Sequence, residues 1–236
     1  MHRLPGTADE HVGVRTFAFT FVPPAVVMLG VGLALVLAGI PVENLTSEPT
    51  TIAEVPPYTG AVSTIGVMGW AAAIGMFLMG AALLYEKLER REAAFLAYGA
   101  VFTGYLAIDD VFAFHESVLP SVGIPEKATY AVLLALVVVY ALLFRPQIRD
   151  SACLFLVLAV ALLASSVAVD LIWELLDPSS GFAIQLFLED GLKLFGICAW
   201  VAYSAMSTRG LVLRRLAEQR SGHTPAQRPS RTTTSS

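Results

Sequence analysis

Charge is scarce in this chain. Asp, Glu, Lys and Arg make up 14% of its 236 residues, against 56% hydrophobic residues and a mean hydropathy of +0.69. A water-soluble domain of this size carries about 25% charged residues, so the expected solvent is lipid and little chain remains for a soluble domain. Cysteine is nearly absent as well. Cys153 and Cys198 both lie inside apolar runs, which argues against a disulfide framework and a thiolate metal centre. Of the four histidines, His2, His11 and His223 lie in polar terminal segments, leaving His115 alone within an apolar run. A cleavable leader is not expected, because the polar stretch Met1 to Arg15 precedes an apolar run too long for a signal-peptide core. The expected partners are membrane lipids and not nucleic acid.

Six apolar runs follow one another: Phe17 to Ile40, Gly60 to Tyr85, Ala93 to Val118, Ala128 to Phe144, Ser151 to Leu176 and Phe182 to Met206. Each approaches the roughly 20 residues that cross a hydrocarbon core of about 30 Å. Proline and turn chemistry mark the breaks, as at Pro41, Pro56-Pro57, Pro120, Pro146 and the Asp177 to Gly181 link. Thirteen of the 15 Lys and Arg residues fall on one side of a six-span alternation, the exceptions being Lys127 and Lys193. The positive-inside rule then places both termini in the cytoplasm. The expected fold is all-α, a polytopic six-transmembrane-helix bundle in the plasma membrane, N-in and C-in. Residues 1–16 are expected to form a cytoplasmic N-terminal segment, 17–206 the six-span transmembrane domain, and 207–236 a cytoplasmic, disordered tail rich in Ser, Thr, Pro and Arg.

The third, fifth and sixth runs break their apolar character with Asp109, Asp110, His115, Glu116, Asp170, Glu174, Glu189, Asp190 and Lys193. Seven acids facing one Lys and one His cannot stay uncompensated in a low dielectric, so cations, protons or water must balance them. Asp109, Asp170 and Glu189 each fall roughly 10 Å from the expected outer end of their helices, at 1.5 Å per residue. At about 100° per residue, Tyr105, Asp109 and Glu116 share a stripe, as do Ser166, Asp170, Glu174 and Asp177, and Gln185, Glu189, Lys193 and Gly196. Asp110 and His115 flank the Asp109 stripe on opposite sides. A regular helix cannot aim both at one point, so either one of them stands behind the site or the helix is distorted there. Plain structural roles exist too: Glu189 and Lys193 suit an intrahelical ion pair, and Asp177 suits a helix end at headgroup level.

Intramembrane ionisable residues usually mark a binding site or a pathway. One expectation is a divalent metal ion, Zn, Mn, Mg or Ca, held among Asp109, Asp110, His115, Asp170, Glu174, Glu189 and Asp190. Glu116 as general base and Lys193 would then complete a metal-dependent hydrolase acting on a lipid or lipid-like substrate. The alternatives are cation or proton translocation through the same carboxylates, and a scaffold whose polar cluster fixes helix register.

The string Asp109-Asp110-x-Phe112-x-x-His115-Glu116, with the acidic fifth and sixth spans, resembles a group of uncharacterised prokaryotic multipass membrane proteins, which implies a prokaryotic inner membrane. A fainter likeness, through an intramembrane acid and His near the outer face, is to alkaline ceramidase and progestin-receptor-like membrane hydrolases. Those have seven spans and a zinc site of three histidines, where this chain has His115 alone. Lys193 beside Glu189 and Asp190 also suits a retinal-type Schiff base, but six spans and no aromatic retinal pocket argue against it.

Overall fold

The computed structural model describes residues 14–47, 49–86, 89–176 and 182–222, and their regular structure is helical. The chain divides at Thr59 into two compact units. The first holds the apolar α1 (Val14–Ala38), closed by Gly39 in the left-handed conformation (φ 64°), and two single turns, α2 (Glu43–Thr46) and α3 (Pro49–Ile52). The second holds α4 (Ala61–Glu86), α5 (Arg90–Phe112), a π turn (Phe114–Val118), α6 (Leu119–Ser121), α7 (Glu126–Leu143), α8 (Arg145–Arg149), α9 (Cys153–Leu176) and α10 (Phe182–Gly222). Among the described residues four stretches are long and apolar enough to cross a membrane: Ala61–Glu86, Arg90–Phe112, Glu126–Leu143 and Cys153–Trp173; Pro24–Ala38 is apolar but shorter. The protein is a membrane-embedded helical protein.

The second unit is built around α10, which packs along both α4 and α9, while α4 packs along α5. Small residues set the distance between α4 and α10. A Cβ added at Gly69 would stand 2.6 Å from Ile197 Cγ2, and Ala73, one turn on, is fully buried. Helices in lipid gain little from burying apolar surface, so close backbone approach through such residues is a main source of their association. Gly75, on another face of α4, has open space around it. The Gly69 and Ala73 pair thus packs, whereas the neighbouring pair with Gly75 does not meet a helix at that glycine.

Aromatic rings attach α7. Tyr140 stacks on Phe95 and on Tyr98 of α5, each at 5.3 Å between centroids, and its hydroxyl lies 3.1 Å from that of Tyr203 on α10. Tyr98 donates to the Leu136 carbonyl at 3.0 Å. Phe77, Trp200 and Tyr203 continue this aromatic layer between α4 and α10, each almost wholly buried.

Composition placed a solvated tail from residue 207, yet α10 runs to Gly222. Side chains account for the difference: Leu211 is buried, and Arg215 bonds Glu92 of α5 at 2.5 and 3.1 Å and Glu218 at 2.8 Å. These bonds, Glu92 foremost, hold the guanidinium above its ordinary pKa. Arg214 reaches Asp150 at 3.2 Å. Residues 223–236 lie outside the described residues.

Gly69→Leu is expected to destabilise the bundle by about 1–3 kcal/mol through overpacking against Ile197. Gly75→Leu should leave melting in detergent nearly unchanged, and equal melting of the two variants would refute the close approach as a determinant.

Candidate functional site

The decisive local event is the end of α5. After Phe112 the chain enters the left-handed region at Ala113 (φ 47°, ψ 47°), a conformation that costs a residue with a Cβ about 1 kcal/mol. The Ala113 N–H still donates to the Asp109 carbonyl, and the chain then coils more widely, with Val118 N–H donating to the Ala113 carbonyl at 3.4 Å. Asp109 holds this break in place. One carboxylate oxygen accepts the His115 backbone N–H at 3.0 Å and the other accepts from ring Nδ1 at 2.7 Å. The wide turn folds His115 back toward Asp109, so Asp110 and His115 line the same cavity. Of the two alternatives left by the helical wheel, the structure has the distorted helix. π turns of this kind often occur at functional sites.

Asp110 has a different set of partners. Its side chain is only 5% exposed and forms an ion pair with Lys193 of α10, while Trp70 of α4 donates its indole N–H to it at 3.2 Å. Three helices meet on this one carboxylate. On the far side, Ser166 of α9 donates to the Glu189 carbonyl at 3.0 Å, and Gln185 donates to Asp170 at 3.4 Å, tying α9 to α10.

These side chains enclose a chamber of about 440 Å³ lined by Asp109, Asp110, His115, Glu126, Tyr130, Asp170, Gln185, Glu189, Asp190 and Lys193, among others. It continues into a narrower recess of about 130 Å³ that reaches Trp70, Leu106, Leu133 and Leu163. Beside the recess lies a third space of about 290 Å³ between α5, α7 and α9, lined by apolar side chains with Tyr130 and Trp200. Its inner end meets Phe102 and Trp200, whose indole N–H donates to Thr103 at 2.9 Å.

Of the expected site residues, Asp109, Asp110, His115, Asp170, Glu189, Asp190 and Lys193 line one chamber. Glu116 lies on the π turn and Glu174 near the end of α9, but their side chains, like the whole of Asp177, lie outside the described residues. Among the described residues no three of His, Cys, Asp and Glu come together as a metal site. Asp109 is bonded to His115, and Asp110 to Lys193 and Trp70. Sequence reasoning passed over Trp70, Glu126 and Tyr130. Glu126 accepts from the Tyr130 hydroxyl at 2.6 Å, and the Tyr130 ring lies 5.5 Å from that of His115. The one signal they offered was a hydrogen-bonding group on an apolar helix.

A family model matches residues 20–207, a span that contains every residue of the chamber. The chain belongs to the DUF8692 family. That family is described as a domain of unknown function. No curated protein and no solved structure matches the chain.

In this DUF8692 protein the Asp110–Lys193 pair sets a clear expectation. Lys193→Met removes the ammonium from beside the buried Asp110 carboxylate and should cost about 3 kcal/mol. Adding Asp110→Asn to that variant removes the stranded charge and should restore most of the melting temperature. A double variant no more stable than Lys193→Met would show that the pair does not carry this burial.

Proposed function

We propose that the chamber is a one-sided catalytic site that hydrolyses a lipid or lipid-like substrate, with His115 rather than Glu116 as the general base. The observation that carries this reading is the Asp109–His115 pair at 2.7 Å on the wall of a polar chamber, beside an apolar space within the bundle. A carboxylate that accepts from Nδ1 leaves the basic lone pair on Nε2 and steadies the imidazolium once a proton arrives. His115 takes a proton from water as the water oxygen bonds to the carbonyl carbon of an ester or amide. Lys193, on the wall of the same chamber, offsets the charge on the carbonyl oxygen. As the carbon–oxygen or carbon–nitrogen bond breaks, the imidazolium returns the proton to the leaving group.

Translocation is less well supported, because the aromatic layer of Phe77, Phe95, Trp200 and Tyr203 fills the bundle beneath the chamber. A second reading, a divalent cation in the chamber, rests on six lining carboxylates among the described residues, Asp109, Asp110, Glu126, Asp170, Glu189 and Asp190, although no three of them come together as a metal site.

The protein, purified without chelator, is to be assayed in detergent and in vesicles against neutral lipids with ester and amide bonds. His115→Gln and Asp109→Asn should each lower the rate at least about 100-fold, the usual contribution of a positioned base. Parental rates in both variants would remove His115 from the chemistry. Stoichiometric metal in the parent, with activity lost to chelation, would favour the cation reading. Absence of hydrolysis together with pH-driven proton flux in liposomes would favour translocation.

The six-span, N-in and C-in arrangement in a prokaryotic inner membrane belongs to the same proposal and rests on the Lys and Arg distribution. Reporters fused after residues 88, 147 and 212 are expected to read cytoplasm, and those near 50 and 122 the outside. An outside C-terminus would reverse the face on which the chamber opens.

A further inference from the structure

The 290 Å³ space and the acidic chamber are continuous in their walls, since Leu106, Tyr130, Leu133, Leu163 and Val167 line both it and the recess. Along each helix the lining changes from apolar to polar in the same order. On α5 it passes from Phe102 through Leu106 to Asp109, on α7 from Val137 through Leu133 to Tyr130 and Glu126, and on α9 from Val160 through Leu163 to Asp170. Asp109 lies seven residues beyond Phe102 on the helix, so the apolar stretch is about 10 Å deep. Its rim includes Leu134, which is 63% exposed, and the exposed Ala164, so it is open on the side of helices long enough to span a membrane. Its floor is Phe102 and the hydrogen-bonded Trp200.

We propose that this groove holds the hydrocarbon chain of a single-chain lipid that enters sideways from the bilayer, its polar head seated in the chamber. This rests on the reading of the chamber as the place where a lipid reacts, and it adds the orientation and chemical class of that lipid. The groove has room and a junction for one chain. The head group is neutral or cationic and rich in hydroxyl or amine donors, because among the described residues six carboxylates face it against Lys193 and His115. Phe102 and Trp200 set the depth to which the chain can reach, and Tyr130, which lines both spaces, marks the junction between tail and head.

The test uses full-length protein in vesicles and a monoalkylglycerol ether, which has no bond for the site to hydrolyse, bearing a diazirine at the end of its chain, with labelled peptides mapped by mass spectrometry. Label is expected on the peptides that carry Phe102, Val137, Val160 and Trp200, at the inner end of the groove, and should be displaced by excess unlabelled ether. Ala164→Phe, which fills the groove, should reduce it about tenfold, equivalent to about 1.4 kcal/mol. Leu134→Trp at the rim is a second block should the first variant fail to fold. Met79→Phe, on an exposed part of α4, should keep the parental yield. The same chain presented as a free fatty acid should label more weakly. Hydrolysis of monoacylglycerol is measured on the same protein, which separates the groove from the chemistry: label without any hydrolysis in the parent would sink the enzyme reading and leave the groove standing. Label spread evenly over the membrane-facing helices, or parental label in both blocked variants, would overturn the groove, and equal labelling by the free acid would overturn the head-group assignment.

Discussion

A carboxylate placed among apolar helices must find a counter-charge or a donor, and the second unit is arranged around how Asp110 does so. Its neighbours come from α10, as the Lys193 ammonium, and from α4, as the Trp70 indole N–H, so one buried group fixes three helices relative to one another. An ion pair of this kind contributes little net stability, because both partners lose water, but breaking it is expensive. Its main effect is on register. Sliding α10 by a turn would strand both charges.

With that register set, the rest of the chamber depends on a local defect. Ala113 in the left-handed conformation interrupts α5, and the wide turn after it brings His115 back to Asp109. The strain is offset by the two hydrogen bonds that Asp109 accepts from His115, one from its backbone and one from its ring. The same carboxylate that shapes the backbone also orients the imidazole. At the other end of the cavity the aromatic layer around Trp200 and Tyr203 closes the bundle. Polar volume is thereby confined to one end, with apolar volume beside it.

Much of this was legible as a pattern. Mean hydropathy and the spacing of the apolar runs announced membrane helices, since length and polarity are local properties of the chain. Asp109, Asp170 and Glu189, on stripes of the third, fifth and sixth runs, marked three parts of the chamber wall, because an ionisable group on an apolar helix has few other reasons to be there. The helical wheel even exposed a conflict between Asp110 and His115 that a regular helix could not resolve. Composition was less informative beyond residue 207, where single residues such as Leu211 and Arg215 continue the helix by what they touch.

By itself, then, the sequence determined the apolar solvent, the helical class and seven of the groups that line the chamber, Asp109, Asp110, His115, Asp170, Glu189, Asp190 and Lys193, for all three follow from side-chain polarity and a fixed helical period. Tertiary structure decided the pairing, Asp109 with His115 and Asp110 with Lys193 and Trp70, which depends on the rotation and offset of separate helices. It also decided the apolar groove. Leu133, Val137, Leu163 and Ala164 resemble any other residues of a membrane helix, and a lining residue cannot be told from a lipid-facing one until neighbouring helices are seen to stand apart.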